Sequence, residues 1–172
     1  MMQAHLPDGT SVLLRPLQPY DRDRLRRLGY RLSPETLYRR FLTPVARPTD
    51  EALDRLLELD HWDREAIAAF EGDEIIAVAR YARQPGRDVA EVAVVVADDR
   101  QHRGVGRLLL RHLAWLARMR AIRAFTGNIA GDNRPALELV RSLSPAVRTH
   151  WSTGEVDFEA SIEPGPPPDQ GG

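Results

Sequence analysis

The chain has 172 residues, a net charge of −1, no cysteine, and 24 basic residues that are all arginine. That length supports one domain with a single core. A near-neutral balance argues against a general nucleic-acid binder, and the lack of cysteine excludes disulfides, a thiolate zinc site and a cysteine nucleophile.

Thr10 to Leu17 alternates around Val12, Leu13 and Leu14 after an Asp8-Gly9 turn, which predicts a first strand or the second arm of a short hairpin ended by Pro16. Pro19 to Leu28 carries Tyr20, Leu25 and Leu28 among charges and predicts a short helix stopped by Gly29. Ser33-Pro34-Glu35-Thr36 is an N-cap followed by Pro at the first helical position, opening a helix with Leu37, Tyr38 and Phe41. Thr49 caps a third helix through Leu53, Leu56, Leu57 and Leu59. The period then changes, predicting strands over Glu65 to Phe70 and Ile75 to Arg83 around a Glu71-Gly72-Asp73 turn. A strand from Val89 to Ala97, a long helix through Met119 and a strand from Ile122 to Asn128 follow. Asp132 or Asn133 caps a helix to about Leu143, and a terminal hairpin is expected over Ala146 to Trp151 and Glu155 to Ile162. Residues 1–162 read as one domain, and 163–172, EPGPPPDQGG, as a disordered tail.

Residues 89–110, VAEVAVVVADDRQHRGVGRLLL, carry the strongest functional signal: an apolar strand runs into a basic, glycine-punctuated turn that opens a helix. First-turn amides of such a helix lack intrahelical partners and sit at the positive end of the dipole, where phosphate binds. A P-loop would need a Lys after its second Gly, and the chain has none; a dinucleotide fingerprint would need a third small residue where Leu109 stands. The plainer alternative is a glycine-containing turn with incidental arginines, and Arg111 and Arg107 also fit a solvated helix face. Gln101, Gly104 and Gly106 match the Gln/Arg-x-x-Gly-x-Gly/Ala spacing of the GNAT acetyltransferases, so the chain resembles a GNAT enzyme.

This resemblance implies an α+β architecture, the GNAT (acyl-CoA N-acyltransferase) fold, with a mixed central sheet of six to seven strands flanked by helices. LSPETLYRRF (residues 32–41), DHWDREAIAA (60–69) and DEIIAVARYAR (73–83) are further similar to the acetyltransferase domain of bacterial Pat-type protein lysine acetyltransferases. Many of that group carry a cyclic-nucleotide-binding or synthetase-like domain, for which this chain has no room. The implied co-substrate is acetyl-CoA, with no metal. Its pantetheine arm would pair with the backbone of Val94, Val95 and Val96. Its pyrophosphate would meet the turn formed by Gln101, His102, Arg103, Gly104, Val105, Gly106 and Arg107, assisted by Arg100 or Arg103. Asn133 matches the family's CoA-contacting Asn, and a plain helix cap explains it equally well. Val140 stands where many members place a Tyr general acid, and Ser144-Pro145 replaces the usual Gly-Phe, which puts the terminal strands in question.

The acceptor amine must be neutral to attack a thioester, and for a lysine of pKa ~10.4 deprotonation at pH 7 costs roughly 4 to 5 kcal/mol. A positioned general base contributes about 10²–10⁴ in rate. The resemblance puts the catalytic glutamate at Glu91, on the strand face of Ala93 and Val95 and opposite Val92, Val94 and Val96. Desolvation among those small apolar neighbours would strengthen it as a base; otherwise Glu91 is a strand-end carboxylate in water or paired with Arg87. Tyr38, Arg39 and Arg40 are candidates for the acceptor groove or, equally, packing and solvated groups. His61, Asp63 and Glu65 fit a turn or strand-edge role better than a metal site.

The function expected is acetyl transfer to an amine by direct attack, with a protein lysine ahead of a small-molecule amine and a non-catalytic acyl-CoA sensor as the rival. No nucleic-acid or membrane partner is expected, and a homodimer is allowed for. No apolar run reaches bilayer length, and MMQAHLPDGTSV lacks a basic stretch followed by an apolar one, so the expected location is the cytoplasm.

Overall fold

In the computed structural model, which describes residues 1–41 and 49–162, the elements in chain order are β1 (Met2–His5), β2 (Ser11–Pro16), α1 (Arg22–Tyr30), α2 (Pro34–Phe41), α3 (Asp50–Leu57), β3 (Arg64–Glu71), β4 (Glu74–Arg83), β5 (Val89–Val96), α4 (Val105–Met119), β6 (Ala124–Ala130), α5 (Arg134–Arg141), β7 (Val147–Ser152) and β8 (Glu155–Ser161). They form one mixed sheet in the order β1-β2-β3-β4-β5-β6-β8-β7, in which only the β5–β6 pair is parallel. The expected α+β class holds with eight strands, because Met2–His5 completes a hairpin with β2 across the Asp8-Gly9 turn. The tail expected to be disordered lies outside the described residues.

Strand alternation sorts the sheet into two faces. On the back face Leu14, Ile67, Ala79, Tyr81 and Ala90 pack against α4, whose buried Val105, Leu109, Leu110, Leu113 and Ala117 recur at helical spacing. On the front face Ala66, Val78 and Val95 lie under Leu25 and Leu28 of α1 and Leu53 of α3. A smaller cluster joins Ile129, Val156 and Phe158 to Leu137 and Val140 of α5.

The front helices are anchored by buried polar groups. Asp21 is fully buried in the 3-10 turn Pro19–Asp21 that precedes α1. It accepts both prongs of Arg15 at 2.7 and 2.8 Å and the Gln18 N–H at 2.9 Å. Gly29 does not stop this helix as expected; it is buried within α1, where the missing side chain leaves space toward the sheet, and the helix ends at Tyr30. The Ser33 and Thr49 caps form as read, each hydroxyl accepting the N–H three residues on, at 3.1 and 3.2 Å. Ser144-Pro145 leaves the terminal strands intact: β8 pairs with β6 over seven residues and with β7 in a hairpin. Among the described residues no helix is long and apolar enough to cross a membrane.

Candidate active site

β5 and β6 pair only at Val89–Ala124, Ala90–Phe125 and Glu91–Thr126. Beyond that point β6 follows β8 to Ala130, while β5 stays on β4 as far as Val96. The β6-facing edge of β5 therefore leaves its ladder after Glu91, and Val94, Val95 and Val96 lie on this half-buried open run. Backbone groups on such an edge can hydrogen-bond an extended ligand.

The open edge leads into the glycine turn. His102 and Gly104 take positive φ, 60° and 86°, and α4 starts at Val105 with Gly104 as an N-cap that offers no side chain. The Gln101 N–H donates to Asp98 C=O at 3.4 Å, and the first helical bond is Leu108 N–H to Gly104 C=O at 3.0 Å, so the amides from His102 to Arg107 keep their donors for a ligand. Gly106 lies in the helix, where a Cβ would meet Val94, Val96 and Leu139 at 3.6 to 3.9 Å. Val105 is buried and offers only its main chain; His102, Arg103 and Arg107 are exposed. Of the two arginines expected to assist, Arg100 is held by Glu71 at 2.6 Å and Asp99 at 2.8 Å, whereas Arg103 has an exposed pair with Asp8 at 3.3 Å.

Gln101 supports the turn from within, its Nε2 donating to Val96 C=O and to Thr36 Oγ1, both at 3.2 Å. Asp98 accepts the Ser33 N–H at 3.1 Å. Burial opposes charge on this carboxylate, but the Ser33 hydroxyl and N–H and the Thr36 hydroxyl outweigh it and hold Asp98 below its usual range. The start of α2 is thus fastened to the glycine turn, a link between residues far apart in sequence that local pattern could not reveal.

Glu91 lies where the two strands part. It pairs with Ala82 on β4 and Thr126 on β6; Ala93 and Val95, opposite Arg80 and Val78, share its face, and Val92, Val94 and Val96 point the other way. That division is the one alternation predicts. The expected desolvation is absent: Glu91 is exposed, because the methyl groups of Ala82 and Ala93 are too short to cover it. Arg87 does not pair with it and donates instead to Gln84 Oε1 at 2.7 Å. The cations that feel its charge are Arg40 and Arg80. Tyr38 is exposed, Arg39 pairs with Glu35 at 2.8 Å, and Arg40 faces inward, so the three acceptor-groove candidates separate.

Asn133 is the N-cap of α5, its Oδ1 accepting the Ala136 N–H at 3.3 Å, and Val140 is buried in the α5 cluster. His61 and Glu65 sit on a structural network. Glu65 is buried between His61 Nδ1 at 2.8 Å and Arg120 at 2.9 Å, and Arg120 also donates to the Tyr81 hydroxyl at 2.7 Å.

Known proteins resemble this chain in sequence and fold. The model of the acetyltransferase (GNAT) family matches residues 33–143. An acetyltransferase of Pseudomonas aeruginosa is 35% identical over 142 residues, 80% of this chain and 76% of that protein. The acetyltransferase Pat of Mycolicibacterium smegmatis is 34% identical over 159 residues, 91% of this chain but 47% of Pat, so the chain spans about half of that relative's length. The crystal structure of the GNAT domain of S. lividans PAT superposes with a TM-score of 0.86 at 31% identity, covering 93% of this chain and 96% of that domain. With an open β5 edge, an uncapped α4 turn and these relatives together, the chain belongs to the GNAT family of acetyltransferases.

Proposed function

We propose that this acetyltransferase moves the acetyl group of acetyl-CoA directly to a protein lysine, with Glu91 as general base. The observation that carries the reading is the position of Glu91, exposed on the front face at the last β5–β6 pair. The pantetheine arm lies along the free edge at Val94, Val95 and Val96, and the pyrophosphate meets the amides from His102 to Arg107, with Gln101, whose own N–H is held by Asp98, supporting the turn through its side chain. Asn133, which caps α5, is assigned to the same arm by the family resemblance. Acetyl-CoA supplies the activated acyl group; the protein orients it and manages the proton. Glu91 accepts a proton from the incoming ammonium, directly or through a water, as the new C–N bond forms and the C–S bond breaks. The thiolate is a tolerable leaving group, so Val140 in place of a general acid does not prevent turnover.

A protein acceptor fits the open front face beyond Glu91, where Asn128 and Asp157 are exposed and hydrogen-bonded to each other at 2.7 Å. Such a shallow polar surface suits a chain segment better than an enclosed amine. Kinship with Pat points the same way.

Glu91→Gln tests the assignment. Acetyl-CoA affinity should stay within about threefold while turnover on a lysine-containing protein panel falls about a hundredfold or more. Unchanged turnover would move the base elsewhere. A parent protein that binds acetyl-CoA but acetylates no protein or small amine would be a sensor.

A further inference from the structure

Helix α2 joins two regions of the candidate site. It has eight residues, about 12 Å in length at ~1.5 Å per residue, and it packs against both β5 and β6. In its second half Leu37 and Arg40 line the apolar cavity under the front helices together with Ala93 and Val95 of β5, and Arg40 feels the charge of Glu91. Its start is fastened to the glycine turn. Ser33, just before the helix, donates its N–H to Asp98 at 3.1 Å, and Arg31 pairs with Asp99 at 2.9 Å. Thr36, inside the helix, accepts Gln101 Nε2 at 3.2 Å, and the same nitrogen reaches Val96 C=O on β5 at 3.2 Å.

Thr36 is the joint. Its hydroxyl meets two residues that lead into the glycine turn: it accepts from Gln101 and bonds the Asp98 carboxylate, which it helps to hold below its usual range. Gln101 directly precedes the free amides from His102 to Arg107, and its own N–H is held by Asp98 C=O only at 3.4 Å. An anion that fixes those amides therefore also fixes Gln101 and, through the Thr36 hydroxyl, the first turn of α2. A ligand that has already ordered a shared element leaves less ordering entropy for a second ligand to lose, so the two bind cooperatively and the coupling is equal in both directions.

We propose that Thr36 is a positioning residue through which coenzyme bound at the glycine turn orders α2 over the front face, so that filling the turn raises affinity for the acceptor. The inference rests on the function proposed above, which places coenzyme at the turn and acceptor beside Glu91. Thr36 acts only through Gln101 and Asp98, and the bond changes of acetyl transfer stay as described. Removing its hydroxyl uncouples the two ligands without taking a contact from either.

Amide hydrogen exchange on the whole protein, with and without free CoA, reads the link independently of turnover. CoA should slow exchange of the α2 amides from Leu37 to Arg40 about fivefold or more in the parent. In Thr36→Val, which keeps the shape and drops the hydroxyl, the slowing should shrink to about twofold or less while CoA affinity by calorimetry stays within about threefold. Thr36→Ser, which keeps the hydroxyl, should restore the protection. With the best acceptor from the lysine-containing protein panel, Thr36→Val should raise the acceptor KM about fivefold and leave kcat within about twofold. The proposal is overturned if CoA binds but leaves α2 exchange unchanged in the parent, or if Thr36→Val keeps the full protection. It is also overturned if Thr36→Val weakens CoA as much as it weakens the acceptor, since the hydroxyl would then serve the turn alone. Should CoA not bind at all, the acetyltransferase reading fails and takes this inference with it; should Glu91→Gln leave turnover intact, only the general base is lost and the exchange result still decides the link.

Discussion

Gly104→Ala separates the geometry of the glycine turn, proposed above to hold acetyl-CoA, from its charge. Gly104 sits at φ 86° and ψ −2°, a left-handed conformation that costs an alanine about 1–2 kcal/mol. The added Cβ would stand 3.4 Å from Pro7 Cδ, an ordinary contact that adds little to this cost. For a domain of this size about 1–2 kcal/mol lowers the melting temperature by roughly 2–8 °C. Gly106→Ala is the matched control. Its backbone is helical and its nearest new contacts are 3.6 Å, so it should be neutral or gain up to about 1 kcal/mol. The assay is the denaturant midpoint, measured alone and with saturating acetyl-CoA. If the turn relaxes toward negative φ to relieve the alanine, the amides ahead of Leu108 lose their common direction. Acetyl-CoA should then bind Gly104→Ala about tenfold more weakly, reducing its stabilisation by about 1.4 kcal/mol. The reasoning is refuted if Gly104→Ala matches the parent in both measurements, or if Gly106→Ala loses as much stability as Gly104→Ala.

Asp21→Asn should cost about 3–5 kcal/mol at pH 7, because it leaves Arg15 without its buried counter-charge, and urea midpoints measure this. Burial opposes ionisation of Asp21, but Arg15, the Gln18 N–H and Arg24 outweigh it and hold the carboxyl below 3.8. Its contribution is therefore complete above pH 3.8 and lost as pH falls through the lower folded value, so the gap between parent and variant should narrow near pH 3. Gly127→Ala would place a Cβ 2.7 Å from the Phe158 ring and 3.3 Å from Val92 C=O; a loss of about 1–3 kcal/mol is expected in chemical denaturation, and an unaltered midpoint would contradict this close approach. Burial and the N-terminal ammonium lower His112 below 6.5 against the pull of Glu65. The unfolded chain then takes up a proton first as pH falls below 6.5, stability declines over that window, and His112→Leu should flatten the melting temperature between pH 7.5 and 5.5.

Local signals in the sequence reached the elements and the glycine turn between β5 and α4. Period-two runs marked β3 to β5, and Ser33, Thr49 and Asn133 each formed the cap their position predicted. β1 was implied only by the hairpin alternative for Thr10 to Leu17, because four residues carry too little pattern of their own, and its pairing with β2 bears that alternative out. Gly29 looked like a stop because glycine is a poor helix former, but burial against the sheet outweighed that propensity. At the site, alternation settled which way Glu91 points and could not settle whether it is covered. That depends on Ala82, nine positions earlier in the chain and opposite it only after the hairpin closes. The place of Arg40 under the front helices is likewise a product of packing α2 against the sheet at β5 and β6.

β5 joins these features because a strand has three independent directions: two faces and an edge. Its back face, Val92, Val94 and Val96, packs toward α4 and fixes the strand in the core. Its edge, released from β6 after Glu91, has backbone groups to offer that no side-chain substitution removes. Its front face sets Glu91 and Ala93 in succession, a carboxylate toward solvent and a methyl toward the apolar cavity under α1 to α3. On the function proposed above, grip on the coenzyme and proton removal therefore fall to different atoms of one element. Side chains on the front face can therefore change without touching the turn at Gly104, and for that reason the turn motif alone, however well it matches the family, does not fix what is transferred.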